Sequence, residues 1–276
     1  MQLGGTPPQL FDQVKDGVAD VVWTLPGYTP GRFPLSEVFE LPFMMVDAEA
    51  TSKALWDYNT QQAAAEYKDI HPIAYHVHGP GVFHMREKPI KTMADLKGMK
   101  VRAPSRQTGK MLAMLGATPV GMPLPGIPEA LSKGVIDGAV VPYEIAPAIK
   151  LQELSKFVAE TDRSYPAMCA TVFVTTMNLA KYNAMPADLR AVIDRNSGIE
   201  TSGWFGRVMT DGDVTGKQAV VAGGVAVNAI PAAELERWKK ATASLDEQWV
   251  TEMKGKGVDG DKLLQTAREL VRKNTR

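Results

Sequence analysis

The sequence predicts an α/β protein with two lobes, and three observations carry that reading. Its 276 residues are more than one hydrophobic core usually organises, so length favours two domains. Strand-like and helix-like runs alternate through the middle of the chain, the pattern of a mostly parallel sheet built from right-handed crossovers. A short unit also recurs: VKDGVADVV at 14–22 and SKGVIDGAVV at 132–141 each end a helix at a glycine suited to a left-handed C-cap, Gly17 or Gly134. Each then places an Asp, Asp20 or Asp137, before a short β-branched strand.

The elements follow in order. The first unit ends its strand on Trp23. Lys100 to Ala103 reads as a strand that stops at Pro104, and Ser105 caps a helix running to Leu115 and ended by Gly116. ATPVGMPL reads as the next strand and PEALSKG as a short helix leading into the second copy of the unit. From Pro186 a long helical stretch runs to about residue 221, and the glycines inside it predict a bend. A short strand at Val225 to Ala229 precedes a second helical block, AAELERWKKATASLDEQWVTEMKGKG.

Composition excludes several classes of function. Thirty-one basic residues balance thirty-one acidic ones, which leaves no net field to draw in nucleic acid or an anionic membrane surface. No apolar run approaches the roughly 20 residues needed to cross a bilayer, so the chain is not expected to be membrane-embedded. GPGVFH at 79–84 lacks the GK[ST] ending of a phosphate loop and is not GxGxxG, and no GxSxG elbow is present. The single Cys169 sits in the apolar run AMCATVFV, a setting that does not activate a thiol. His76 and His78 alternate along a strand and share a face, as two metal ligands would, but no Cys or acidic third ligand stands nearby. No metal, cofactor or catalytic residue is expected.

In open parallel sheets, ligands sit beyond the carboxyl ends of the strands. Applied to the repeated unit, that rule puts Trp23 at one strand end and Pro142, Tyr143 and Glu144 at the other. Arg102 lies at the end of a further strand. A guanidinium is costly inside an α/β core, so it needs a reason to be there.

The segments MQLGG with QVKDGVADVV, FPLSEVFELPFM, KPIKTMADLKGMKVRAP, GATPVGMP, ALSKGVIDGAVVP and MNLAKYNAMPADLRAVID run in one order from residue 1 to about 195. Through them the chain resembles the DctP-type solute-binding proteins of tripartite ATP-independent periplasmic (TRAP) transporters. The resemblance implies a two-lobed periplasmic-binding-protein fold, type II-like, hinged about a cleft and crossed by a long bent helix. It implies lobe I at 1–80 with 171–210 and lobe II at 81–170 with 211–276. It implies a periplasmic location and a TRAP membrane permease as partner. It also implies that Arg102 holds the ligand's carboxylate, a role that suits a planar guanidinium better than lysine.

Carried over by position, Trp23 falls where relatives place a wall residue. Leu25 falls where the sialic-acid binders keep a carboxylate, Val82 where they carry a second arginine, and Pro142 where many carry an asparagine. These departures make the expected ligand a monocarboxylate with an apolar or aromatic body, stacked on Trp23. Tyr143 and Tyr28 are candidate donors to a hydroxyl or keto group. Glu144, Phe33 in the turn GYTPGRFP, and Met168 and Met122 near strand ends are further candidates for the lining. Relatives begin with a strand, a helix and a strand before QLG, so the recorded sequence is expected to start late, after a signal peptide and that first piece. Two other readings stay open: an enzyme on a small organic acid with Glu144 as general base, or a sensor's ligand-binding domain.

Overall fold

The computed structural model describes residues 4–162 and 164–275. Nine strands form two sheets among these residues. β1 (Val21–Thr24), β8 (Val172–Asn178) and β2 (Ile70–Val77) make a three-stranded sheet in that order. The second sheet has six strands in the order β5 (Thr118–Gly121), β4 (Lys100–Ala103), β6 (Gly138–Val141), β3 (Val82–Met85), β7 (Phe157–Thr161) and β9 (Ala226–Ile230).

Both copies of the repeated unit fold alike. The helices Leu10–Lys15 and Ile127–Ser132 lead to Gly17 and Gly134, whose φ of 78° and 69° is the left-handed cap expected there, and then to β1 and β6. The expectation of a mostly parallel sheet holds for β5, β4 and β6, which the two crossover helices connect. It also holds for β7 and β9, which pair in parallel, and fails where β3 is antiparallel to both β6 and β7 and where β8 is antiparallel to both β1 and β2. The reason is topological. β3 and β8 are the strands that arrive from the opposite lobe, and each enters its sheet against the local direction. The two crossings meet where Gly81 N donates to Cys169 O at 3.1 Å.

The long helical stretch breaks at Gly198 (φ 107°) into Ala187–Arg195 and Ile199–Ala222. The second piece braces both lobes. A Cβ at Gly206 would stand 2.3 Å from the Ala48 carbonyl oxygen of the first lobe, and one at Gly216 would stand 2.1 Å from that of Tyr143 in the second. Only glycine permits such approach to backbone that cannot yield.

The C-terminal helices Ala232–Thr242, Ser244–Gly255 and Gly260–Asn274 close the core. Trp238 packs edge-on against Phe83 of β3, whereas Trp249 donates its indole N–H to Pro34 O in the first lobe. The last helix lies against the helix Ala48–Gln61 as well as against its neighbour Ser244–Gly255, and so joins the C-terminal block to a helix of the first lobe. Its apolar stripe, including Leu263, Ala267 and Val271, is what that helix buries.

Candidate functional site

Between the sheets lies a cavity of about 240 Å³, bordered by the ends of β1, β4 and β6 and floored by the two crossings. Arg102 stands at its edge. β4 is hydrogen-bonded on both sides, to β5 and β6, so the side chain is 3% exposed. Its Nε donates to Met122 O at 3.0 Å and its Nη1 to Val140 O at 3.1 Å. Among the described residues the side chains that favour its charge are the Tyr28 hydroxyl and the Cys169 thiol, not a carboxylate. Burial pulls this guanidinium down to about 10, which still leaves it cationic at neutral pH.

Arg106, four residues on, shows the contrast. It is bound by Glu37 and by Glu252, the latter at 2.9 Å, and is a structural cation joining the lobes. Among the described residues, Arg102 makes no such pair. A guanidinium carries five N–H groups; Met122 and Val140 take one each and Tyr28 faces it, so at least two are left for a ligand.

Tyr28 sits on the turn Pro26–Tyr28 after β1 and reaches across the cleft, where its hydroxyl accepts from Leu124 N at 3.1 Å. The guanidinium beside it can also only donate. With Leu124 N donating to its oxygen and the Arg102 guanidinium beside it, what Tyr28 has to offer a ligand is its own O–H. Arg102 and Tyr28 therefore present donors, the arrangement a carboxylate requires.

The opposite wall is aromatic. β1 and β2 flank β8, so Trp23, Phe173 and His76 lie side by side on one face, with Phe173 directly opposite His76. Trp23 stacks on Phe173 at 4.9 Å between ring centroids, and Phe173 on His76 at 4.8 Å. Trp23 Nε1–H donates to His76 Nε2 at 2.7 Å. The indole's only polar group is thereby engaged, and the half-exposed ring offers the cavity only its apolar face. Pro142, Leu25, Leu124 and Ile145 complete the apolar lining.

His78 leaves the end of β2 and lies in the floor, 5% exposed. Burial holds its pKa down at about 4, with Arg102 adding repulsion, so the ring is neutral. Its Nδ1 faces Gly79 O and its Nε2 meets Thr171 Oγ1 at 3.0 Å. His76 is likewise pushed down to about 4 by burial. The two histidines do share a face, and both are committed to fixed hydrogen bonds there. Cys169 also lines the cavity, its thiol pushed up to about 12 by burial and so un-ionised.

Glu144 is the acidic group in the lining. Burial and then Asp213 push it up to about 7, and Asp213, on the long helix, is itself pushed up to about 6 by burial. Asp213 Oδ1 accepts from Glu144 N at 2.9 Å and so fixes the segment after β6. That segment is a series of turns up to Lys150, so Glu144 caps no helix at Ile145.

Of the residues singled out in the sequence, the cavity gathers Arg102, Trp23, Leu25, Tyr28, Pro142 and Glu144. The others lie elsewhere. Tyr143 and Val82 border a second hollow of about 790 Å³ beside the long helix, where Tyr143 donates to Glu160 Oε2 at 2.9 Å. Phe33 is buried against Phe11 and Tyr67, and Met168 is 1% exposed within the core. Thr171, Phe173, His78 and Leu124 are in the site without having been picked out as ligand contacts. The period-two run from Thr171 to Phe173 in ATVFV carried the available signal, since a crossing strand turns alternate residues into the cleft.

The chain matches the family model described as bacterial extracellular solute-binding protein, family 7, over residues 2–252. Among solved structures it is similar to a TRAP solute-binding protein from Rhodoferax ferrireducens T118 in complex with copurified benzoate. That likeness is 55% identity over all of this chain and 85% of the other, with a TM-score of 0.99. A marine metagenome TRAP solute-binding protein specific for aromatic acid ligands, crystallised with 3-hydroxybenzoate, is 46% identical over all of this chain and 86% of its own, with a TM-score of 0.97. A third, from Bordetella bronchiseptica with bound (R)- and (S)-mandelate, is 26% identical over 98% of this chain and 85% of its own, with a TM-score of 0.89.

Proposed function

This chain belongs to family 7 of the bacterial extracellular solute-binding proteins and serves TRAP transport by binding an organic acid; from that premise we propose that the acid is an aromatic monocarboxylate. One observation carries the proposal. A buried cation with unused donors and, among the described residues, no carboxylate partner stands at the edge of a small cavity whose walls include Trp23, Phe173 and several aliphatic side chains. The carboxylate takes Arg102 and the Tyr28 O–H, and the ring lies against Trp23. Neutralising the guanidinium offsets part of its burial cost. Tyr28, bonded to Leu124 across the cleft, couples ligand capture to the closed arrangement of the lobes.

The size and polarity of the cavity argue against bulkier or more polar acids. At about 240 Å³ it lies below the usual range of about 300 to 1,000 Å³ for drug-sized ligands. Among the described residues no second cation stands in its lining to receive another carboxylate, and a sugar acid's hydroxyls would meet Leu25, Pro142 and Leu124. The same ligands of its structural neighbours, benzoate, 3-hydroxybenzoate and mandelate, fit that description. In the periplasm the loaded protein passes the unchanged acid to a TRAP permease of the membrane. No helix among the described residues is long and apolar enough to cross a membrane.

A thermal-shift and calorimetry panel tests the proposal. Benzoate is expected to raise Tm and to bind far more tightly than acetate, and benzamide, which has the ring without the charge, is expected not to bind. If succinate or a sugar acid stabilised the protein more than every aromatic monocarboxylate tried, the proposal would be wrong.

Affinity should also depend on pH through Glu144. Its ionised form, present above about 7, repels an anion in the same cavity. Binding an anion therefore raises its pKa further and takes up a proton, so affinity rises as pH falls through 7. One proton sets the limit at about tenfold per pH unit. Arg102, depressed only to about 10, stays charged throughout and does not contribute. Calorimetry between pH 8 and pH 6 should show this rise for the wild type and a clearly shallower one for Glu144→Gln, in which only Asp213, titrating near 6 behind the lining, is left to contribute. A wild-type profile that is flat or runs the other way would show that Glu144 does not feel the ligand.

A further inference from the structure

The hydrogen-bonding pattern of the cavity floor runs in one direction only. Gly79 O can only accept, so the contact with His78 places the imidazole's single proton on Nδ1. His78 Nε2 is then bare and must accept, and its partner at 3.0 Å is the hydroxyl of Thr171. Thr171 has one proton, and His78 receives it. What the threonine has left is its pair of acceptor sites, and among the described residues no hydrogen bond is donated to it. The side chain is 1% exposed yet lines the cavity beside His78 and Phe173.

Glu144 and Thr24 also carry acceptor oxygens in the lining, but Thr171 is the hydroxyl whose proton His78 fixes. Trp23 gives its N–H to His76, Tyr28 and Arg102 present donors, and Cys169 is a weak, un-ionised thiol. Protonation of His78 would reverse the pattern, but burial opposes it. With its proton committed to His78, Thr171 Oγ1 keeps acceptor capacity that a ligand donor entering the cavity can use.

We infer that Thr171, oriented by His78, is a specificity-determining acceptor and that the preferred ligand is an aromatic acid bearing a hydroxyl group, which donates to Thr171 Oγ1. The inference rests on the reading of this cavity as an aromatic-acid site. It differs from the sequence expectation, in which Tyr28 and Tyr143 donate to such a hydroxyl: Tyr143 faces the other hollow, and the acceptor belongs to the protein.

Titration calorimetry on the full chain tests it, with benzoate, the three hydroxybenzoate isomers, mandelate and the methyl ether of each hydroxylated acid. At least one hydroxylated acid is expected to bind about tenfold more tightly than both benzoate and its own methyl ether. Thr171→Val should bring that acid and its ether to within about twofold of each other, and Thr171→Ser, which keeps the hydroxyl, should preserve the margin. The wild-type ratio alone decides the matter should the valine variant not fold. Benzoate binding as tightly as every hydroxylated acid, or a margin that survives in Thr171→Val, would overturn the assignment. Failure of every aromatic acid, benzoate included, would remove the aromatic-acid reading itself and this inference with it.

Discussion

Arg102→Ala is expected to weaken binding of an aromatic acid by about 2 to 5 kcal/mol, roughly 30- to 5,000-fold, because the pair it would form is desolvated. Arg102→Lys should remain clearly impaired. A single ammonium cannot reproduce two parallel N–H donors while also reaching Met122 O and Val140 O, which the guanidinium does with Nε and Nη1. Stability should move the other way. The unliganded wild type carries an unpaired cation that is 3% exposed, so the alanine variant should lose the ligand-induced rise in Tm without losing Tm of its own. Paired melting curves with and without benzoate check both halves. A variant that unfolds early, or one that still responds to benzoate like the parent, would show that Arg102 serves the fold and not the ligand.

Gly216→Ala should have the second-largest effect, and on a different quantity. The added Cβ would come within 2.1 Å of Tyr143 O and 2.5 Å of Tyr143 C, both backbone atoms. Either the long helix or the segment after β6 must then move. Overpacking of this kind costs about 3 kcal/mol at the upper end of its usual range, which in a chain of this size is a fall in Tm of about 6 to 12 °C. The same segment carries Pro142 and Glu144 into the cavity, so aromatic-acid affinity should fall as well. Gly255→Ala is the control: nothing lies within 4 Å of the added Cβ, and Tm should change little. Equal melting temperatures for the two variants would contradict the role given to the long helix as a brace between the lobes.

Much of this was legible in the sequence because it is written locally. The C-cap glycines Gly17 and Gly134 announce their turns, Ser105 announces its helix, and an arginine at a strand end stands out in an apolar setting. Pairing direction was not legible, since β3 and β8 enter their sheets from the other lobe and no local pattern records that. The packing of the last helix on Ala48–Gln61 was not legible for the same reason: its amphipathic stripe says that one face is buried but not against which partner. Phe33 and Met168 show the limit from the other side, since an apolar residue near a strand end can face a ligand or the core. Thr171 and His78 were hidden most completely. A threonine and a histidine 93 positions apart in the chain carry no mutual signal until two crossing segments bring them together.

The central claim is that the Arg102 guanidinium is kept unpaired for a ligand carboxylate. A crystal structure with benzoate bound tests it most directly. Both carboxylate oxygens are predicted within hydrogen-bonding distance of Arg102, one of them also of Tyr28 Oη, with the ring against Trp23. Benzoate found with its carboxylate turned away from Arg102, or absent from this cavity while bound elsewhere, would contradict the account.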